Sequence, residues 1–307
     1  MYVHAYLVVL LFQLRLTLLL IFVQYATHRQ GLKLIGKEDK VEKYNHVALQ
    51  IAREVADDTG TLFAGGISNT NLFYDKSIVD PATEIRTMFE EQVGWAKEAG
   101  VDYVIGETFT HYREAEIALE VITSFDLPAV ITFAVLGRNS DGMFATPDGV
   151  PITKACQQLL EKGATLVGTN CFRGPDTMME VVQEIVKVVP PEKVCALPIA
   201  YRTSKEEPTF RDLTDKVCPE NNPVYPHGLS AFFVSETEIA SFTKTCVDLG
   251  LRYFGICCGN TGNYMRTMAE TVGRTTVLSK YHDQEKVTKI VEMKKEVYDK
   301  QQEQLEN

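Results

Sequence analysis

Excess positive charge is missing from this sequence: 31 Lys and Arg stand against 41 Asp and Glu, a formal net charge of -10. That excludes a phosphate-neutralising face and hence nucleic acid as a partner. No run of like charge is longer than the Glu/Lys-rich tail, which reads as a solvated surface. A disulfide framework is absent too. The seven cysteines are odd in number and scattered, and Cys257 and Cys258 are neighbours, which seldom meet disulfide geometry. Free thiols point to a reducing compartment and a cytoplasmic location. No glycine-rich phosphate loop follows any strand-like run, and no Asp or Glu occurs before Glu38.

What the chain does contain is enough apolar residue, 45% of 307, for a sizeable core, either one large α/β barrel or two ordinary domains. Val3 to Val23 is almost wholly apolar, interrupted by His4, Gln13, Arg15 and Thr17. It is long enough to span a bilayer, but no basic start precedes it and Arg15 near its centre would be costly in lipid. Residues 1–24 are therefore expected to plug or complete the body of the protein, with a membrane anchor as the competing reading. Helical spacing follows at 40–57, where Val41, Tyr44, Val47, Ala48, Ile51 and Val55 form the apolar set.

Short apolar runs and amphipathic stretches then alternate. Strands are expected at 61–67, 101–106, 128–134, 164–169, 193–198 and 252–256, with helices at 81–99, 112–124, 152–161, 175–188, 236–248 and 261–273. Asp80–Pro81 supplies a cap and first-turn proline for the first of these helices. Residues 201–227 read as an elaborated loop, and 278–305 as a charged helix outside the main body. Such alternation, with strands apolar on both faces, implies a parallel sheet covered by helices. The expected fold is an α/β (β/α)8 TIM-type barrel, with Leu18–Tyr25 as a seventh strand and the first βα unit missing or rewired. Its parts are the apolar segment 1–24, a barrel domain 25–275 and a charged terminal helix 276–307.

In such a barrel, chemistry sits where the strands end. Cys171 follows "ATLVGTN", and Cys257–Cys258 follow "RYFGI", whereas Cys156 and Cys246 lie in helices, Cys195 inside a strand and Cys218 in the long loop. Three thiolates leave a four-coordinate zinc ion one open position, the pattern of a catalytic site. A substrate thiol bound there loses its proton and becomes a nucleophile. Gly255 and Gly259 bracket the vicinal pair and are expected to let the backbone turn both sulfurs toward one point. Isolated cysteines are more often small buried hydrophobes, but a glycine-flanked pair with a partner at another strand end is not of that kind.

"VGTNCFRGP" and "FGICCGNTGNYMRTMAE" resemble the two signature segments of the homocysteine S-methyltransferase family, over about 25–273. The resemblance implies a barrel, with Zn2+ held by Cys171, Cys257 and Cys258. It implies Glu107, ending "YVIGE", as a residue that holds the homocysteine amino group, and Tyr25 in "QYATHR" as a further substrate-side residue. Thr108 stands where the betaine-using members have a tyrosine that contacts betaine, so the methyl donor is open. The family's N-terminal Asp–Gly–Gly or Glu–Gly–Gly turn has no counterpart in residues 1–24.

The resulting expectation is a zinc-dependent transfer of a methyl group to the homocysteine thiolate, giving methionine, with homocysteine and a small methyl donor as partners and a homo-oligomer compatible with the sequence. The alternatives are a zinc- or thiol-binding homologue impaired by loss of the N-terminal carboxylate, and a membrane-attached interaction module. A cobalamin-dependent methionine synthase would need further domains. His111 and Trp95 read as structural, Asn170 as a residue orienting a loop or ligand, and Tyr201 and Arg202 as residues able to face the pocket.

Overall fold

A computed structural model describes residues 7–11, 18–21, 24–259, 262–276, 292, 294 and 295. Strands β1 (Leu7–Leu11) and β2 (Leu18–Ile21) open the chain, followed by the short helix α1 (Arg29–Lys33) and by α2 (Val41–Thr59). The body then runs β3 (Ala64–Ser68), α3 (Pro81–Glu98), β4 (Tyr103–Phe109), α4 (Tyr112–Ser124) and β5 (Ala129–Phe133). A two-residue ribbon, β6 (Gly137–Arg138) and β7 (Phe144–Ala145), precedes α5 (Ile152–Glu161), β8 (Leu166–Asn170), α6 (Pro175–Ile185) and β9 (Val194–Leu197). The long loop leads to α7 (Glu236–Asp248), β10 (Tyr253–Ile256) and α8 (Gly262–Thr271).

β3, β4, β5, β8, β9 and β10 are hydrogen-bonded in parallel, in the order β10-β9-β8-β5-β4-β3, and the connecting helices cover the outer face. These six strands coincide with the six expected from the sequence. The sheet curls as a TIM-type barrel does, and β2 comes to lie beside β3 and α2. β1 adds to β10 antiparallel, with Val9 opposite Gly255, and β2 pairs antiparallel with β1. Leu18–Ile21 is thus a strand, as expected, but it enters the sheet through β1 and antiparallel, so the family's first parallel βα unit is rewired. The charged helix expected over 278–305 falls almost wholly outside the described residues. Among the described residues no helix is long and apolar enough to cross a membrane.

Two layers of core follow from the period-two alternation of the strands. One alternate set faces the helices, where Val104, Ile131, Val167 and Ala196 pack with Phe89, Val121, Leu159 and Val182. The other set faces inward, where Ile105, Val130, Cys195, Leu197 and Tyr253 meet. Each aliphatic side chain so buried contributes on the order of 1.5–3 kcal/mol. The α3 cap is as expected: the Asp80 carboxylate accepts from the Thr83 N–H at 3.2 Å, and Pro81 stands in the first turn.

One helical face departs from expectation. α2 forms where predicted, yet Tyr44, Val47 and Ile51 are exposed, and the buried face carries Val41, Asn45, Leu49, Ala52 and Ala56. The face is decided by Asn45, which hydrophobicity would have placed outside. Its amide donates to the Val41 and Thr27 carbonyls and accepts from Gln24 at 2.8 Å and Gln92 at 3.2 Å. A fully satisfied amide of this kind costs little to bury.

Candidate metal centre

Strand parity builds the site. In β4 the inward positions are Tyr103 and Ile105, so the next is Glu107; in β8 the same alternation ends on Asn170, and in β5 it reaches Thr132. Beyond Tyr253 and Gly255 in β10 the next inward position is Cys257. A β-bulge sharpens the aim of Glu107. Gly106 pairs with Ile131 and Phe109 with Phe133, so Glu107 and Thr108 together oppose the single residue Thr132. Thr108 takes φ 63°, a left-handed conformation that is costly for a residue with a β-carbon.

Cys171 and Phe172, just past β8, are also left-handed, each with φ 59°. The exit of β9 pins this loop and the one after β10. The Cys171 N–H donates to the Leu197 carbonyl at 3.0 Å and the Cys257 N–H to the Pro198 carbonyl at 2.7 Å, while the Cys258 carbonyl accepts from Ala200 N–H at 2.9 Å. Of the two glycines expected to bend the pair, only Gly259 does so, with φ 76°; Gly255 remains in β10 as the partner of Val9. A β-carbon on Gly259 would stand 2.8 Å from the Tyr201 ring, so glycine is required there for space as well as conformation.

The three sulfurs converge. Cys171 Sγ lies 3.7 Å from Cys258 Sγ, Cys257 Sγ lies 3.9 Å from Cys258 Sγ, and all three fall within 4.8 Å of one another. Tetrahedral zinc–sulfur bonds of about 2.3 Å set neighbouring sulfurs about 3.8 Å apart, so the donor set fits such an ion with one position left open. Cys171 and Cys257 are buried and Cys258 is partly open. The Cys258 thiol is held well below its ordinary range by hydrogen bonds from Cys171 and Cys257.

Glu107 reaches the same rim. Its carboxyl accepts from Asn170 Nδ2 at 3.2 Å, and the same nitrogen contacts Cys257 Sγ at 3.8 Å. Burial pushes the Glu107 carboxyl up to about 8, with the charge of Cys258 adding to the effect. Tyr25 stands across the site with its hydroxyl donating to Asn69 Oδ1 at 3.3 Å. Burial raises its phenol well above the usual range, and the neighbouring Cys171, Glu107, Cys258 and Cys257 raise it further. Tyr201 also faces the cluster, its phenol raised by burial and by Cys258 and Cys171, and its ring stacks on Phe233 at 5.1 Å.

Other candidates separate cleanly. Arg202 turns outward into a two-bond pair with Glu238, at 2.7 and 2.6 Å. His111 precedes α4 between Phe73 and Tyr74, and Trp95 packs against the outer core near His46. Cys156, Cys195 and Cys246 are buried hydrophobes, and burial pushes the Cys156 thiol up to about 12. Asn69 and Thr132 were not singled out from the sequence. Their signal was available in position, one residue past β3 and two past Val130, but polar residues at strand ends are too common to select alone.

The homocysteine S-methyltransferase family model matches residues 23–272. Betaine–homocysteine S-methyltransferase 1 of Xenopus laevis is 32% identical over 235 residues, 75% of this chain and 54% of the relative. The S-methylmethionine–homocysteine S-methyltransferase of Rattus norvegicus is 30% identical over 239 residues, 76% of this chain and 61% of the relative. The chain spans about half the length of the curated relatives it matches. The metallated form of the homocysteine methyltransferase MmuM from Escherichia coli shares the fold, with TM-score 0.57 and 16% identity over 81% of this chain and 77% of that one.

Proposed function

Since the chain belongs to the homocysteine S-methyltransferase family, we propose that it transfers a methyl group from a small donor to the thiolate of homocysteine, giving methionine, with zinc on Cys171, Cys257 and Cys258. The observation that carries the reading is the convergence of these three sulfurs within 4.8 Å, beside a buried carboxyl, at the strand ends of a barrel. The free thiols suit a reducing, cytoplasmic setting.

Each residue has a part. Cys171, Cys257 and Cys258 offer three sulfur donors and leave the fourth position to the substrate. When bound, zinc supplies the positive charge that favours loss of the substrate thiol proton near neutral pH. Glu107 receives the homocysteine ammonium, whose charge offsets the cost of ionising a buried carboxyl. Tyr25 closes the substrate side, held by Asn69. The homocysteine sulfur then attacks the donor methyl carbon; the new S–C bond forms as the bond from methyl to the donor heteroatom breaks, and that atom keeps the electron pair. Holding the two reactants in line supplies much of the acceleration.

The impaired-homologue alternative gains no support, because the cysteines, Glu107 and Tyr25 meet at one rim without an N-terminal carboxylate. The test is to incubate the zinc-loaded chain with homocysteine and betaine, S-methylmethionine or a methylfolate, and to measure methionine by mass. Methionine formed with one donor, and lost on chelation, is expected; none with any donor from a fully loaded protein would overturn the reading.

A further inference from the structure

Asn170 is 0% exposed, and its amide touches two other strands, β4 and β5, and the loop that follows β10. Its Oδ1 accepts from the Thr108 N–H of β4 at 2.8 Å and from the Thr132 hydroxyl of β5 at 2.9 Å. Its Nδ2 donates to Thr108 Oγ1 at 2.7 Å, and it also faces Glu107 Oε2 at 3.2 Å and Cys257 Sγ of the β10 loop at 3.8 Å. A core asparagine needs only two or three partners to be satisfied. Here the partners are not arbitrary: one nitrogen lies between the carboxyl and a sulfur of the cluster, and the residue that carries it directly precedes Cys171.

We propose that Asn170 is a positioning residue that couples the carboxylate receiving the substrate amine to the thiolate cluster receiving the substrate sulfur. The inference rests on the functional reading above for the identity of the substrate. The Oδ1 half holds the left-handed Thr108, and with it the bulge that aims Glu107 inward. The Nδ2 half touches both Glu107 and Cys257 Sγ and so fixes the distance between the two ends of a bound amino thiol. A hydrogen bond to a ligand sulfur is the kind of outer contact whose loss weakens metal binding about 10–100-fold. A merely structural amide would affect stability without touching either the metal or the choice of thiol.

The test uses the full chain with Asn170→Ala and Asn170→Asp. Aspartate keeps both acceptor contacts and removes the donor arm, so it covers the case in which alanine fails to fold. Zinc affinity is measured by competition with a chromophoric chelator. Cobalt-loaded protein is then titrated with homocysteine and with 4-sulfanylbutanoate, which lacks the amino group, and the thiolate-to-metal absorption is followed. Both variants should bind zinc about 10–100-fold more weakly. The preference for homocysteine over the deaminated thiol should fall about tenfold in Asn170→Ala, the loss expected when a charged hydrogen bond is misplaced. Zinc affinity within twofold of the parent in a folded Asn170→Asp would overturn the proposal. So would weakened zinc with an unchanged thiol preference in a folded Asn170→Ala. None of these readings uses turnover, so a parent protein without methyl transfer would sink the functional reading alone.

Discussion

Cys171 Sγ and Cys258 Sγ stand 3.7 Å apart across 87 residues of chain, and a single segment holds them there. The exit of β9, from Leu197 to Ala200, accepts the Cys171 and Cys257 N–H groups and donates to the Cys258 carbonyl. Backbone bonds from this one segment therefore set the positions of the three cysteines. Replacing Cys257 by serine should leave the fold intact and reduce zinc from one per chain to well below one. Elemental analysis of purified protein, with circular dichroism as the control for folding, checks this; full zinc in the variant would remove Cys257 from the ligand set.

Glu107→Gln should retain zinc and lose substrate. Removing a charged partner of the ammonium costs about 1.5–3 kcal/mol, or about 10–100-fold in kcat/KM for homocysteine. The loss should appear mainly in KM, because the same contact exists in ground and transition states. Steady-state kinetics with elemental analysis separates this from a folding defect.

Much of this site was legible in the sequence, because chemistry sits at strand ends. Once β4, β8 and β10 are recognised as runs apolar on both faces, Cys171 and Cys257 fall just past strand ends, and the family resemblance adds Glu107. The left-handed turn that brings Cys171 in, one residue out of phase with Asn170, was not visible. The buried face of α2 was not legible, because Asn45 is satisfied by Gln24 and Gln92, residues 21 and 47 positions away. The β4 bulge at Glu107–Thr108 and the left-handed Thr108 were hidden for the same reason, since Asn170 in another strand stabilises them. The antiparallel entry of β1 and β2 likewise depends on which edge is free, which no local pattern states.

His28 provides a pH dependence of stability through the cap of α1. Its ring accepts from the Gly31 N–H at 3.1 Å as the cap of α1, and burial lowers its pKa from 6.5 to about 4. A depressed value means that stability is fully present above 6.5 and is lost as pH falls toward 4, by up to about 3 kcal/mol. Urea unfolding of the parent and of His28→Asn at pH 7 and pH 4.5 should show the larger acid loss in the parent. Equal losses would place the imidazole in solvent.

Deletion of residues 1–23 should expose the β10 edge that β1 occupies. An open edge carries unpaired N–H and carbonyl groups and favours association. The truncated chain is expected to aggregate or to unfold at lower temperature, as judged by light scattering and thermal melting. A monodisperse product of unchanged stability would show that the added strands contribute nothing to the barrel.

The proposed chemistry turns on an open coordination position, and X-ray absorption at the zinc edge measures it directly. The loaded protein should show three sulfur neighbours and one lighter atom, at about 2.3 and 2.0–2.1 Å respectively. Addition of homocysteine should convert this to four sulfurs. Fewer than three sulfurs without substrate, or a first shell unchanged by saturating homocysteine, would contradict it.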